Sequence, residues 1–150
     1  MRKTHDRARQ PGTAATPATL AAVSAGGGIG ALARHALAQA LPHPTGGFAW
    51  STLAANLTGS LLIGAVAVLV AQRWPDRPLV RPFLAAGVLG GYTTFSTYVL
   101  DIQQAVAAGA VGTALVYLGL TVTGALFAAW AGGVLTRLAL TRRRSPDPRP

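Results

Sequence analysis

The stretch GGYTTFSTY (residues 90–98) lies inside a long apolar run, yet it is a poor helix former. Its two glycines and its β-branched threonines both lower helix propensity. Four small hydroxyls also alternate with three aromatic rings in these nine residues. If the run crosses a membrane, we expect an unwound, polar segment at mid-depth, near residues 90–94.

The composition around this stretch indicates lipid as the main solvent of the chain. Of the 150 residues, 51% are hydrophobic and 11% are charged, whereas soluble domains carry about 25% charged residues. Four apolar runs each reach the roughly 20 residues that a membrane-crossing helix needs. They cover residues 20–41, 51–71, 83–108 and 111–135. The sequence therefore predicts an all-α integral membrane protein with four transmembrane helices, the third of them broken.

Basic segments flank the apolar domain predicted at residues 20–135. Residues 1–19 and 136–150 are basic and rich in proline, so we expect a disordered tail at each end. The basic start, the apolar run and Ala38-Gln39-Ala40 also resemble a cleaved secretory signal. Because Arg34 interrupts that run and three more runs follow, we expect the segment to be retained.

The net charge of +9 is distributed as in a membrane protein. Twelve of the thirteen Lys and Arg residues lie in the two tails or in the connector at residues 72–82. This pattern is typical of membrane flanks and not of a nucleic-acid-binding face, so we expect no nucleic-acid partner. With four spans, the rule that cationic loops stay inside predicts a cell-membrane protein with both termini in the cytoplasm.

The acidic and metal-ligating residues are too few for most enzyme chemistry. The chain has no cysteine, no glutamate, four aspartates and three histidines. A carboxylate dyad or a His-rich metal site is therefore not expected, and we predict that the chain is not an enzyme. Residues 26–31 match a dinucleotide-binding pattern, but no acidic residue follows at the required distance. Gly26 and Gly30 instead favour close packing of two membrane helices.

Polar residues recur on one face of two predicted helices. Thr52, Asn56 and Ser60 are spaced by four residues, and Thr113, Tyr117 and Thr121 repeat that spacing. Hydrogen bonding between helices would explain either stripe alone; together with residues 93–98 they favour a polar pathway. Uncharged donors and aromatic ring edges suit a small anion. Carbonyls exposed at an unwound segment suit a hard cation such as sodium.

Three segments resemble the Fluc fluoride channels, and the resemblance covers roughly residues 24–135. The segments are GGIGALAR (residues 27–34), TLAANLTGS (residues 52–60) and GGYTTFSTY (residues 90–98). The resemblance implies passive export of fluoride from the cytoplasm through an antiparallel dimer with two pores. It also implies one structural sodium ion at the centre of that dimer.

The resemblance also assigns roles to individual residues. Sodium is expected on the backbone carbonyls of Gly90 and Thr93. Arg34 is expected at the entrance, where snorkelling to lipid phosphate is an equal alternative. The expected fluoride pathway consists of Asn56, Phe95, Ser96, Thr97, Tyr98, Tyr117 and Thr121. Tyr98 departs from the family, which usually has phenylalanine there, and this makes an aromatic role at that position less secure.

Two further alternatives and one refinement follow from the residues. A small four-helix exporter of organic cations would need a membrane-embedded acidic residue, and only Asp101 comes near a span. A soluble nicotinamide enzyme is a more distant alternative. The charge asymmetry conflicts with an antiparallel homodimer, because half of the copies would have to insert with their cationic segments outside the cytoplasm. We therefore expect a related partner chain of inverted topology.

Overall fold

The computed structural model describes residues 16–142, and every regular element in that range is helical. The elements are α1 (Pro17–Ala40), α2 (Trp50–Arg73), a π-helical segment (Pro82–Leu89), the short α3 (Gly90–Tyr92), α4 (Ser96–Ala107) and α5 (Val111–Arg142). The predicted all-α class is confirmed. The greater part of both predicted tails, residues 1–15 and 143–150, lies outside the described residues.

Two helix ends differ from the sequence prediction by three residues or more. Helix α1 begins at Pro17 because the Thr16 hydroxyl accepts a hydrogen bond from the Thr19 backbone N–H at 3.2 Å. A capping threonine followed by proline is a strong helix start, so residues 17–19 are helical and not part of a tail. Helix α5 continues to Arg142 instead of ending at residue 135. No glycine or proline interrupts residues 134–142, so the helix has no reason to stop earlier.

Three segments of the described residues are long and apolar enough to cross a membrane. They are Trp50–Arg73, Pro82–Ala107 and Val111–Arg142, with mean hydropathies of 2.1, 1.2 and 1.7. Helix α1 has 24 residues and is long enough, roughly 36 Å at 1.5 Å per residue. It is less apolar because Arg34, His35 and several glycines lie within it.

The helices pack as two pairs. Helix α1 lies along the π-helical segment and α3, while α2 lies along α5; contact between α1 and α2 is slight. Glycines allow the first pair to approach closely: a Cβ atom on Gly30 would overlap the Val88 carbonyl, and one on Gly91 would overlap the Gly27 carbonyl. The small-residue spacing in α1 thus has the packing role that the sequence predicts.

The second pair uses the same device along α2 and α5. A Cβ atom on Gly64 would overlap the Ala129 carbonyl, and one on Gly132 would overlap the Leu61 carbonyl. The outer face of α5 is apolar and open: the side chains of Leu126, Phe127 and Trp130 are each at least 62% exposed. Such a surface is suited to lipid or to another subunit, not to water.

Candidate functional site

The site is built around a break in the third apolar segment. Helix α3 ends at Tyr92, Thr93 is extended with φ −80° and ψ 160°, and α4 resumes at Ser96. The unwound part is therefore residues 93–95, at the end of the predicted stretch 90–94, because Gly90 and Gly91 remain helical against α1. Phe95 thus lies within the interruption, and Ser96, Thr97 and Tyr98 begin α4 directly after it.

Asn56 of α2 holds the break in place. Its Nδ2 donates to the Thr94 carbonyl at 2.9 Å, and its Oδ1 accepts from the Thr94 backbone N–H at 2.9 Å. The Thr94 hydroxyl in turn accepts from the Thr97 N–H at 3.2 Å, which caps the start of α4. The Asn56 side chain is 8% exposed, so these two bonds satisfy a buried amide.

The same contacts release two carbonyls from helical hydrogen bonding. In a continuous α-helix the N–H of Thr94 would donate to the Gly90 carbonyl, and that of Thr97 to the Thr93 carbonyl. Here the first donates to Asn56 and the second to the Thr94 hydroxyl. The carbonyls of Gly90 and Thr93 are therefore available to another partner. The Thr93 hydroxyl is already bonded to the Leu89 carbonyl at 2.9 Å.

An uncharged cavity of about 350 Å³, with a mixed polar and apolar lining, lies between α2, the break and α5. It brings together four of the predicted pathway residues: Asn56, Phe95, Tyr98 and Thr121. Ser60, Gly90 and Thr93 line it as well, and none of its lining residues carries a charge. The Thr121 hydroxyl is buried and has no hydrogen-bond partner among the described residues. A buried donor without a partner is costly, so this cavity is suited to a polar guest.

Two aromatic residues at the cavity differ sharply in exposure. Phe95 is 77% exposed and its ring centroid lies 6.0 Å from that of Tyr98. Tyr98 is 6% exposed and its hydroxyl donates to the Leu118 carbonyl at 3.1 Å. The hydroxyl that distinguishes Tyr98 from phenylalanine is thus bonded to helix α5. The ring itself still lines the cavity.

Tyr117 lies outside this cavity and joins a second polar cluster. Its hydroxyl donates to Asp101 Oδ2 at 3.2 Å, and Nε2 of His43 lies 3.8 Å from Asp101 Oδ1. The Tyr117 ring also packs against Tyr98, with ring centroids 5.4 Å apart. Asp101 is 8% exposed, so its carboxylate is buried against these two partners. The α1–α2 connection and α5 therefore meet α4 at this point.

Two further predicted residues lie around a smaller cavity of about 220 Å³ on the other side of the break. Arg34 and Thr97 line it together with Ser51 and Thr52. The Arg34 Nε donates to the Gly91 carbonyl at 3.1 Å, so the guanidinium is anchored to α3 beside the break. Ser96 is exposed and lines neither cavity.

Comparison with known proteins identifies the family. A family model described as CrcB-like protein, Camphor Resistance (CrcB), matches residues 21–133. The chain belongs to this CrcB-like family. The matched range starts in α1 and ends in α5, so it includes the break, both cavities and the Asp101 cluster.

Similar proteins in this CrcB-like family have names that state an activity. The fluoride-specific ion channel FluC 2 of Streptomyces avermitilis is 48% identical over 125 residues, covering 83% of this chain and 79% of that protein. The fluoride-specific ion channel FluC 2 of Nocardia farcinica is 45% identical over 129 residues, covering 81% and 92%. The fluoride-specific ion channel FluC of Rhodospirillum centenum is 43% identical over 122 residues, covering 81% and 93%.

Sequence reasoning missed two features of this CrcB-like chain. In the sequence Asp101 stands out only as an acidic residue near a span, yet it lies three residues after Tyr98 and therefore shares its helix face. That spacing was the available signal. Thr94 was grouped with the other hydroxyls, but its side chain caps α4 and its backbone holds Asn56. A threonine two residues before the first residue of a helix can accept a hydrogen bond from an N–H of the first turn, and this preference is the signal that the sequence offers.

Proposed function

We propose that the chain is a fluoride-selective channel in the cell membrane that lets fluoride leave the cytoplasm passively and so limits its toxicity. The observation that carries this proposal is the cavity at the break. Its polar lining consists of uncharged amide and hydroxyl groups beside two aromatic rings, the rest of its lining is apolar, and no lining side chain carries a charge. Such a lining replaces the hydration of a small anion without holding it too tightly to leave. The names of the similar proteins support the same conclusion.

Ion efflux from liposomes tests the proposal directly. Purified protein, alone or with a related chain from the same source, is reconstituted with internal fluoride or internal chloride, and each anion is followed with its own electrode. We expect rapid fluoride efflux and chloride efflux close to that of protein-free vesicles. Equal fluxes of the two anions, or no fluoride flux with every partner chain tried, would exclude a fluoride channel.

The exporter alternative is not favoured. The described residues contain two aspartates; Asp76 lies in the connector after α2, and the Asp101 carboxylate is bonded to Tyr117 and faces His43. Neither lines the cavity at the break, where a cation and its exchanged proton would need a carboxylate. The similar proteins are named as ion channels and not as enzymes or exporters.

We also propose a structural sodium ion on the carbonyls of Gly90 and Thr93, as the resemblance implies. Supporting it, these are the two carbonyls whose helical N–H donors are diverted to Asn56 and Thr94. Main-chain carbonyl oxygens are the ligands that hard cations prefer at broken membrane helices. Bound there, sodium would supply positive charge next to the fluoride cavity and hold the break open.

We further propose that four membrane-crossing helices, α1 included, assemble into an antiparallel dimer with a related, inverted chain. A single chain leaves the break uncovered: Gly90 and Ser96 are exposed and Phe95 is 77% exposed. Unwound backbone at membrane depth is tolerated only where protein or a water-filled cavity covers it. A second subunit against this face would supply that cover and complete the sodium site.

A further inference from the structure

A groove of about 700 Å³ runs between the C-terminal half of α2 and the start of the π-helical segment. Its body is apolar: Val66, Ala67 and Val70 of α2 form one wall. At one end it is closed by Trp74 and by two arginines of the connector, Arg77 and Arg81. An apolar body with a cationic end is the complement of an amphiphile that carries a negative head.

The two arginines have no partner that would satisfy their charge. Both are exposed, and neither makes an ion pair with a carboxylate of the described residues, although Asp76 is the neighbour of Arg77 in sequence. Guanidinium groups bind phosphate oxygens in a bidentate manner. A phosphate placed between Arg77 and Arg81 would therefore fill a role that no side chain of the described residues fills.

The dimensions and position of the groove match a lipid. Along α2 and its C-terminal cap the lining runs from Ile63 to Trp74, a separation of eleven residue steps, or roughly 16 Å at 1.5 Å per residue. That is about half of a hydrocarbon core roughly 30 Å thick, the depth of one leaflet. Trp74 is 41% exposed at the charged end, where indole rings favour the membrane interface.

We infer that this groove binds one anionic phospholipid, with the phosphate on Arg77 and Arg81 and an acyl chain along the apolar wall of α2. The positive charge of the connector favours the cytoplasmic side of the membrane, so the site faces the cytoplasmic leaflet. Anionic headgroups in that leaflet attract basic segments. The groove shares Ile63 and Ala85 with the cavity at the break, so a bound acyl chain would seal that cavity from the surrounding bilayer.

Thermal unfolding of the purified full-length protein in mild detergent tests this inference without reference to ion flux. Phosphatidylglycerol is added, with phosphatidylcholine and glycerol 1-phosphate as separate additions. We expect phosphatidylglycerol alone to raise Tm, by about 5 °C or more at saturation. An equal rise with phosphatidylcholine would mean that no anionic headgroup is recognised, and a rise with glycerol 1-phosphate would mean a simple anion site; either result overturns the inference.

Variants test the charged end and the apolar body of the groove separately. The double variant Arg77→Gln/Arg81→Gln should lose the Tm rise by removing the phosphate partners. Ala67→Phe should lose it as well, because the ring fills the acyl groove while both arginines remain. Arg137→Gln, on α5 and outside the groove, should keep it. Retention of the rise in the double variant or in Ala67→Phe contradicts the inference. A change of oligomeric state in the double variant, measured by gel filtration, would assign the groove to a subunit contact instead.

Discussion

At the scale of single residues, removal of the Thr121 hydroxyl should distinguish a role in fluoride flux from a role in stability. It is 4% exposed and has no partner among the described residues, so it contributes no stabilising hydrogen bond to the single chain. Thr121→Val keeps the volume and removes the hydroxyl. Because leaving a buried hydroxyl unsatisfied costs about 1–3 kcal/mol, we expect the variant to be as stable as the parent or slightly more stable.

Fluoride flux, in contrast to stability, should decrease in Thr121→Val. A hydrogen bond to a charged group contributes about 1.5–3 kcal/mol, so flux in liposomes should fall by roughly tenfold or more. The matched control is Thr123→Val, whose hydroxyl is exposed and donates only to the Gly119 carbonyl of its own helix at 2.7 Å. If both variants conduct alike, Thr121 does not contact fluoride on its way through.

Residue spacing predicts which side chains share a face, but not which partners they choose. The four-residue spacing places Asn56 and Ser60 together, and both line the cavity at the break. It also groups Thr52 with Asn56, yet Thr52 lines the smaller cavity beside Arg34. The spacing likewise pairs Tyr117 with Thr121, but Asp101 binds the Tyr117 hydroxyl away from the cavity. Which partner each side chain binds depends on tertiary contacts, and the spacing of residues along one helix does not specify these.

At the scale of elements, glycine has opposite effects at two positions of α1. A Cβ atom on Gly30 would overlap the Val88 carbonyl, whereas one on Gly28 would meet no atom within 4 Å. We expect Gly30→Ala to separate α1 from the π-helical segment and to destabilise the fold by about 1–3 kcal/mol or more. Gly28→Ala should be neutral or stabilising by about 0.5–1 kcal/mol, because alanine favours the helix. Thermal unfolding of the two variants in the same detergent measures this difference, and equal Tm values would contradict the packing argument.

The break in the third apolar segment is an element whose existence, but not whose hydrogen bonding, follows from sequence. Two glycines and two threonines indicate a weak helix at residues 90–94. The interruption falls at residues 93–95 because Asn56, 38 residues before Thr94 in the chain, binds the Thr94 N–H and carbonyl. The spacing of hydrophobic residues does not predict the π-helical form of Pro82–Leu89. Both depend on a neighbouring helix.

Backbone and side chain at Thr93 should differ in their effect on the proposed sodium site. Thr93→Ala removes a hydroxyl that is bonded to the Leu89 carbonyl, while the Thr93 carbonyl stays free. Sodium-dependent stability should therefore persist. Thr93→Pro removes the N–H that bonds to Leu89 at 2.9 Å and drives Tyr92 out of its helical conformation. Unfolding of each variant in sodium and in potassium buffers measures the dependence, and its loss in Thr93→Ala would mean that the hydroxyl is the ligand.

At the scale of the whole molecule, charge determines how the chain enters the membrane. Twelve Lys and Arg residues lie in the two terminal segments and in the connector at residues 72–82, and none lies in the connectors at residues 42–49 and 108–110. Cationic residues near span ends stay in the cytoplasm. If all four apolar segments cross the membrane, both termini and Arg77 lie in the cytoplasm and His43 lies on the outer side.

An antiparallel homodimer would require half the copies to insert against this bias, so we expect a single orientation and an inverted, related partner. The chain has no cysteine, so Thr45→Cys and Asp76→Cys each introduce one exposed thiol on opposite sides. A membrane-impermeant maleimide added to intact cells should label position 45 and leave position 76 unlabelled until the membrane is permeabilised. Comparable labelling of both positions from outside would reveal two orientations in one population. In that case copies of this chain alone could form both halves of the dimer, and the requirement for a partner chain would disappear.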